Sequence, residues 1–287
     1  VVGRQACQML GYSAEELQGR PARTLDASDE DYERLGERVQ AQFVAHAAFD
    51  GDVCFMRKDG SPVWARVQGR GVRAHDMAGG TVWILEDLTA AREAQQQQDW
   101  AAIHDPLTQL CNREAFVQRM GVLLAERSAR ARTPGVEAVD AAEGEGDGVM
   151  LFLDLDHFTV VNDLAGHDAG DDVLRHVARL LESHVRQIGW AARLGGDEFA
   201  VVLPGCSLAR GQALAEQLRA AVQAWEPSYQ GRSFTLGVSI GLVVLDASLQ
   251  DVPSVLYAAD MACYDAKRAG RNRVETRHAD QAAASGR

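Results

Sequence analysis

The chain has 287 residues, of which 46% are apolar and 24% charged, and these values are typical of a protein with two folded cores. Its formal net charge of −12 disfavours general binding to nucleic acid or to anionic lipid, because both would repel it. The five cysteines are widely spaced without a CxxC pair, which predicts reduced thiols in a cytoplasmic protein, and the absence of an apolar run of about 18 residues predicts no membrane segment.

Helix and strand signals alternate in the first part of the chain. Ser13 followed by Glu16 is a capping-box signature for a short helix. Residues 53–67 form two strand-like runs around an Asp-Gly turn, and residues 81–85 form a third. This arrangement resembles a PAS sensory domain, which implies an antiparallel sheet within residues 1–88. The family has strands before the point where this sequence begins, so we expect either a truncated N-terminus or one that belongs to a part of the protein outside this sequence.

A ligand for this PAS-like region is not identified by its sequence. His46 and His75 are the residues that a haem would use, and Trp64 and Trp83 are the aromatics that a flavin site would use. A lone histidine in such a region is more often a surface or core residue, and tryptophans flanked by apolar residues are more often part of the core. We therefore predict structural roles for all four, with the sensed ligand unknown.

Residues 89–103 are mostly good helix formers, and Asp87 or Thr89 is available as an N-cap. The apolar positions along this segment are small and are interrupted by four glutamines. We predict a connecting helix that pairs only weakly with a second copy of itself. The alternative is a solvated spacer.

The apolar run 149–156 ends in alternating acids and predicts a buried strand. Side chains alternate along a strand, so Asp154 and Asp156 share one face. A second acidic site follows in the run 190–203, which predicts a hairpin that turns at two glycines and two acids. Brought together, these carboxylates would suit Mg²⁺ and the phosphates of a nucleotide. The alternative for the hairpin alone is a tip with solvated acids.

These motifs occur with others at matching spacing. The full set is His104-Asp105-Pro106-Leu107-Thr108, Asp154-Leu155-Asp156-His157-Phe158, Asn162-Asp163, Gly166-His167, Gly170-Asp171, Gly195-Gly196-Asp197-Glu198-Phe199 and Tyr264 to Arg273. The set resembles the GGDEF domain of diguanylate cyclases over residues 104–274. The resemblance implies a ferredoxin-like palm with the order β, α, β-hairpin, α, β, and hence a mixed α/β fold of the α+β kind, followed by a polar tail over residues 275–287.

The resemblance also implies the chemistry of the site. The family joins two GTP molecules into cyclic di-GMP with two Mg²⁺ or Mn²⁺ ions, and each domain of a homodimer holds one GTP. The matching metal ligands are Asp154, the Leu155 carbonyl, Asp197 and Glu198. Either Asp197 or Glu198 matches the group that accepts the proton of the 3′-hydroxyl.

Further residues match the parts of the family that bind the nucleotide. Asn162, His167 and Asp171 match the positions that recognise guanine and its nucleoside. Lys267 and Arg271 match the cations that bind phosphate. The pair Gly195 and Gly196 lets the nucleotide lie close to the backbone.

The sequence departs from the family at two places. The family has a lysine directly after the phenylalanine of its first acidic motif, and here Thr159 follows Phe158. The family's inhibitory product site reads Arg-x-x-Asp, and here Arg186 is kept but Gly189 replaces the acid. We expect a lost phosphate contact at the first place and weak product inhibition at the second.

Two functions of different classes follow. The first is a diguanylate cyclase regulated by its PAS domain. The alternative is a GTP-binding regulatory module with little activity, which controls a phosphodiesterase domain outside this sequence. The intact acids favour the enzyme, and Thr159 is the feature that favours the module.

Overall fold

The computed structural model describes residues 2–73, 76–131, 146–229 and 231–277. The chain divides into two compact units, Val1–Asp99 and Trp100–Arg287. Within the described ranges, none of the helices combines the length and apolarity that a bilayer crossing requires.

The first unit is a three-stranded antiparallel sheet in the order β1-β2-β3 with helices before it. Ser13 and Glu16 form the predicted capping box, since the Glu16 N–H donates to Ser13 Oγ and the Ser13 N–H donates to the Glu16 carboxylate. The core includes Phe49, Phe55 and Val63 from the sheet. The elements are α1 Arg4–Leu10, α2 Ala14–Leu17, a 3-10 turn Ala22–Leu25, α3 Asp29–His46, β1 Ala48–Met56, β2 Pro62–Arg73 and β3 Asp76–Asp87.

The prediction that both tryptophans of this unit are core residues is wrong for Trp83, which is 38% exposed. Its ring contacts Phe43 and Phe49, at centroid distances of 5.9 and 6.0 Å. Trp64 is half-buried beneath the Arg92 guanidinium, 4.0 Å from its ring centroid. His46 is exposed at the end of α3, as expected of a surface residue. His75 lies outside the described residues.

The predicted connecting helix is present as α4 Thr89–Ile103. Its start is capped by Asp87, whose carboxylate accepts from the Thr89 N–H at 2.8 Å. All fifteen residues of α4 are described and none of them is buried. A helix without a buried face agrees with the small, interrupted apolar positions of its sequence.

The second unit is built on a five-stranded sheet in the order β10-β9-β4-β6-β5. The central strand β4 is antiparallel to both neighbours, and β10 runs parallel to β9. Its elements are α5 Arg113–Ala131, β4 Val149–Asp156, α6 Phe158–Ala165, α7 His167–Val185, β5 Trp190–Gly195, β6 Glu198–Leu203, α8 Leu208–Ala224, β7 Ser228–Tyr229, β8 Arg232–Ser233, β9 Gly237–Val244, α9 Val252–Arg268 and β10 Val274–Arg277.

Every residue of β4 is buried because helices cover both faces of the sheet. Leu151 and Leu153 pack in a core that includes residues of α7 and α8, whereas Met150 and Phe152 pack in a core that includes residues of α5 and α9. The apolar run of β4 is therefore continuous because the strand is buried on both faces, as predicted. The architecture confirms the mixed α/β class and the order β, α, β-hairpin, α, β.

One predicted boundary needs correction. Residues 275–287 were expected to form a polar tail, but residues 275–277 are the last three of β10 and pair with Gly241, Leu242 and Val243 of β9. A polar, charged segment can add an edge strand because the ladder uses only backbone groups. The second unit therefore extends at least to Arg277, and residues 278–287 lie outside the described part of the chain.

Candidate active site

The turn between β5 and β6 lies beside the end of β4. Its glycines have φ values of 156° at Gly195 and 44° at Gly196, and a Cβ added to either would meet no atom within 4 Å. Within the described part of the chain, the space beside these two glycines is therefore open. The positive φ of Gly196 favours glycine, and the open space above the turn leaves room for a ligand to approach the backbone.

The two acidic motifs meet at this edge of the sheet. Asp154 of β4 is paired in register with Glu198 of β6, and the Leu155 N–H donates to the Asp197 carbonyl oxygen at 3.3 Å. Asp154 is only 9% exposed. Burial raises its pKa, with the negative charges of Asp197 and Asp156 adding to the effect, while Lys267 opposes it. Burial also raises the pKa of Glu198, and the neighbouring charges of Asp154, Asp260 and Asp197 act in the same direction. The acids thus lie within electrostatic range of one another.

Such a group of repelling carboxylates fits a divalent cation, which would relieve the repulsion. Among the described residues, no three His, Cys, Asp or Glu side chains are grouped closely enough to hold an ion by themselves. This result is compatible with Mg²⁺, which commonly uses one or two carboxylates and takes its remaining ligands from water and substrate phosphates. The donor set of Asp154, Asp197 and Glu198 therefore fits a metal that binds together with a nucleotide.

Lys267 and Arg271, the cations predicted to bind phosphate, lie beside the acids at the end of β4. Lys267 Nζ, in the last turn of α9, lies 2.5 Å from Asp154 Oδ2. Its pKa is raised because the hydrogen bond and charge of Asp154 outweigh the opposing effect of burial. The Arg271 Nε lies 4.0 Å from Asp156 Oδ1, and half of the Arg271 side chain is exposed. Both cations therefore lie next to the acids of the site.

Asp156 supports this arrangement, and the sequence did not indicate its role. It is 4% exposed and accepts from Ser239 Oγ at 2.8 Å and from the Asn272 N–H at 2.9 Å. Arg271 and Asn272 both have positive φ values, 63° and 45°. A backbone turn of this kind is costly for residues other than glycine, so the buried carboxylate holds it in place. Asp156 thereby fixes the turn that carries Arg271.

A second supporting residue, Arg193 of β5, was also missed. Its guanidinium donates to the Gly196 carbonyl oxygen and to the carboxylate of Asp105, a residue 88 positions earlier in the chain. A signal existed in the sequence, since an arginine interrupts the apolar strand two residues before the glycine turn. Its partner could not be read from the sequence.

The residues predicted to read the guanine lie on the helical hairpin that follows β4. Asn162 of α6 packs against Gly170 of α7 so closely that a Cβ at Gly170 would overlap the Asn162 side-chain oxygen. Asp171 lies on the next position and contacts Arg175 at 3.6 Å, and His167 is exposed at the start of α7. Across the described ranges, no hydrogen bond or ion pair joins these side chains to the acids of β4 and β6. The two groups are separate parts of the candidate site.

The two departures from the family have clear positions. Thr159 is exposed in the first turn of α6. Arg186 and Gly189 line a cleft of about 590 Å³ together with Arg119, Trp190 and Arg210. The Arg119 guanidinium lies 4.7 Å from the centroid of the Trp190 ring. A Cβ at Gly189 would overlap the Val202 carbonyl oxygen, so the backbone at this position has no room for the acid of the family motif.

Comparisons with known proteins agree with both parts of the chain. Residues 102–273 match the model of the family described as "Diguanylate cyclase, GGDEF domain", and residues 3–90 match a PAS domain model. The chain is 32% identical over 279 residues to the probable diguanylate cyclase DgcE of Escherichia coli, covering 96% of this chain and 24% of that protein. It is 38% identical over 190 residues to diguanylate cyclase DgcP of Pseudomonas aeruginosa, covering 66% of this chain and 26% of that protein.

A solved structure is similar to about two thirds of this chain. The coiled coil and GGDEF domain of DgcB from Caulobacter crescentus, in complex with c-di-GMP, aligns with a TM-score of 0.57 at 29% identity. The alignment covers 66% of this chain and 93% of that one. The chain spans about a quarter of the length of the two curated relatives above.

Proposed function

The chain belongs to the GGDEF-domain family of diguanylate cyclases and has a PAS domain before its GGDEF domain, and on this premise we propose that it converts two molecules of GTP into cyclic di-GMP and two of pyrophosphate. The observation that carries the proposal is the contact between Lys267 and the buried Asp154 beside the open glycine turn. Acids, a phosphate-binding cation and an open backbone are the parts that phosphoryl transfer from a nucleotide requires.

In each of the two steps, a 3′-hydroxyl oxygen attacks the α-phosphorus of the other GTP. An O–P bond forms, the bond to pyrophosphate breaks, and the hydroxyl proton leaves. Asp197 or Glu198 accepts this proton.

Asp154, the Leu155 carbonyl, Asp197 and Glu198 are the groups that would hold Mg²⁺ or Mn²⁺, and the metal would lower the charge of the phosphates and the pKa of the attacking hydroxyl. Lys267 and Arg271 bind the phosphates and neutralise the departing pyrophosphate. Binding of GTP requires Lys267 to exchange its contact with Asp154 for one with a phosphate oxygen. This exchange frees the Asp154 carboxylate when the nucleotide arrives.

Asn162, His167 and Asp171 bind the nucleoside. The carboxylate of Asp171 accepts hydrogen bonds from the N1–H and 2-amino group of guanine, which adenine lacks. The Asn162 amide reads the acceptor edge of the same base. The positions of Asn162 and Asp171 on adjoining turns of α6 and α7 support this division.

We further propose that the active form is a homodimer. Each site holds one GTP, and the product is made from two GTP molecules. Residues 1–88 form the sensory domain, α4 connects it to the catalytic domain that begins at residue 104, and the sensory domain regulates catalysis through this helix.

The proposal is tested by incubating the purified protein with GTP and Mg²⁺ or Mn²⁺ and separating the products by chromatography. We expect cyclic di-GMP to form in parallel with pyrophosphate, and ATP to give no cyclic dinucleotide. Tight GTP binding without turnover would contradict the enzyme and support the regulatory module instead.

A further inference from the structure

Arg193 makes four hydrogen bonds at the base of the glycine turn. Its Nε and Nη2 donate to the Gly196 carbonyl oxygen at 3.0 and 2.7 Å, and its Nη1 donates to both carboxylate oxygens of Asp105 at 3.1 and 3.2 Å. The side chains of Arg193 and Asp105 are 13% and 18% exposed. A guanidinium is planar and rigid, so it fixes the direction of the groups that it binds.

The bound carbonyl belongs to the peptide that joins Gly196 to Asp197. Holding this oxygen fixes the plane of the peptide and therefore the position of the Asp197 backbone. Gly196 has a φ of 44°, and a glycine has more conformations available than any other residue. Since a Cβ added to either glycine would meet no atom of the described residues within 4 Å, contacts from below the turn must hold its shape. Two of these come from Arg193, and a third is the bond from the Leu155 N–H to the Asp197 carbonyl oxygen.

Asp105 is itself held on both sides. It accepts from the Thr108 N–H and Oγ1 at 2.8 and 2.6 Å, and its N–H donates to the Leu110 carbonyl oxygen at 2.8 Å. These bonds close the short loop between α4 and α5. The charged partner of Arg193 is therefore part of a rigid loop, and does not depend on a freely rotating surface side chain.

The same loop is tied to the end of α4. The Asn112 side-chain amide donates to the carbonyl oxygens of Ala101 and Ala102 at 3.3 and 3.0 Å. The backbone N–H of Asn112 donates to the carbonyl oxygen of Ile103 at 3.0 Å. The neighbouring Cys111 carbonyl oxygen accepts from the Arg193 N–H at 2.9 Å. Hydrogen bonds, together with the covalent link between Cys111 and Asn112, thus connect the last turn of α4 with the turn that carries Asp197.

We propose that Arg193 is a positioning residue for Asp197, that Asp105 holds Arg193 in its working orientation, and that the last turn of α4 acts on the site through this pair. The inference rests on the proposed cyclase function, because it assigns Arg193 to the reaction of that site. Arg193 touches neither the nucleotide nor the reacting atoms in this account. It acts through the peptide between Gly196 and Asp197.

The test compares the full chain with Arg193→Lys, Asp105→Asn and the double variant Arg193→Gln/Asp105→Asn. A lysine can reach either Asp105 or the Gly196 oxygen but cannot bind both as the guanidinium does. The double variant also removes the charge that Arg193→Gln alone would leave buried and unpaired. If Arg193 and Asp105 contributed only to stability, the double variant would regain both the activity and the melting temperature that Arg193→Gln alone would lose. We expect it to recover the melting temperature alone.

We expect the kcat for cyclic di-GMP to fall about 100-fold in Arg193→Lys and in the double variant, because displacing a catalytic group by about 1 Å costs that much. The KM for GTP should change less than about threefold, and GTP binding in EDTA should be unchanged, since the nucleoside contacts lie on α6 and α7. Mn²⁺ binding in the presence of a non-hydrolysable GTP analogue should weaken about tenfold. In Asp105→Asn, Arg193 keeps its contact with Gly196, so the kcat and the Mn²⁺ affinity of this variant should be intermediate.

The matched control is Arg127→Lys, which alters another arginine–carboxylate pair of the same unit, with Asp147 at 3.3 Å. This variant should keep the parental kcat. A parental kcat and Mn²⁺ affinity in the double variant would overturn the inference while leaving the proposed function intact. Absence of cyclic di-GMP from the unaltered protein would instead overturn the proposed function, and the Mn²⁺ affinities would then decide the role of Arg193 by themselves.

Discussion

The ammonium group of Lys267 lies 2.5 Å from the carboxylate of Asp154, at the buried end of the central strand. The pair brings a residue predicted to bind phosphate into contact with a residue predicted to bind metal. A carboxylate engaged by a lysine is a poorer metal ligand, because the two cations compete for one charge. Metal and nucleotide should therefore help each other to bind.

This competition predicts the behaviour of a lysine variant. Lys267→Met keeps the length of the side chain and removes its charge, and we expect the nucleotide-free affinity for Mn²⁺ to rise about tenfold, as expected for the loss of a charge-assisted contact. Isothermal titration calorimetry with MnCl₂ measures this affinity.

Arg271→Met is the control for a general effect of charge. It removes the same charge from the site, but Arg271 lies near Asp156 rather than Asp154. Its effect on Mn²⁺ affinity should be smaller than that of Lys267→Met. Equal gains in the two variants would show that bulk electrostatics, and not the contact with Asp154, sets the affinity.

Base selection gives the second prediction. GTP should bind more tightly than ATP by about two orders of magnitude or more, because adenine would leave the polar groups of Asn162 and Asp171 without partners. Asp171→Ala should remove most of this preference. Asp172→Ala is a matched control, since both aspartates contact Arg175 but Asp172 is 60% exposed. Comparable binding of ATP and GTP to the parent would refute the assignment.

The third prediction concerns product feedback. Gly189 replaces the acid that would accept from guanine, and the loss of a charge-assisted acceptor weakens binding by about ten- to a hundredfold. We expect the initial rate to persist as micromolar cyclic di-GMP accumulates. Restoring the acid with Gly189→Asp is an unsuitable test, because its Cβ would overlap the Val202 carbonyl oxygen.

Arg186→Ala is the informative variant for this cleft. It should leave both the rate and its dependence on product unchanged. Strong inhibition of the parent that Arg186→Ala abolishes would show that the cleft still binds the product through Arg186, with a different acceptor in place of the missing acid.

The fourth prediction is a dependence of stability on pH. Although burial opposes the effect, hydrogen bonds from Thr108 and Arg193 lower the pKa of Asp105 in the folded protein. A lowered folded pKa contributes stability that is present above the unfolded value of about 3.9 and is lost as the pH falls through the folded pKa. The parent should therefore exceed Asp105→Asn in stability at pH 7, and the difference should shrink below about pH 4. Urea unfolding of the catalytic unit in both proteins from about pH 7 to below about pH 4 measures this difference in the free energy of unfolding. A difference that does not change with pH would contradict the prediction.

Features set by local sequence were predictable. The buried strand β4 follows from an uninterrupted apolar run, the hairpin from two glycines between strand-like segments, and the capping box from Ser13 and Glu16. Each of these depends on residues within a few positions of one another. The fold class and the meeting of the two acidic motifs involve distant segments, and they could be predicted because the motifs resemble a known family at matching spacing.

The contacts that hold the site could not be predicted in this way. Asp105 and Arg193 are 88 positions apart, and Asp156 and Asn272 are 116 apart. Each pair requires two separate segments to be packed before the side chains can meet. The exposure of Trp83 had a similar cause, since only packing decides whether one or both faces of a ring are covered.

The central claim is that the acids at the end of β4 and at the glycine turn catalyse phosphodiester formation between two GTP molecules. The most direct measurement compares the parent with Asp197→Ala, following cyclic di-GMP and pyrophosphate from GTP and Mg²⁺, with circular dichroism of both proteins. Because a carboxylate at an open turn contributes little to the core, the variant should keep its fold and melting temperature. The account predicts two pyrophosphates per cyclic di-GMP from the parent and no product from the folded variant. Production of cyclic di-GMP by Asp197→Ala at the parental rate would contradict it.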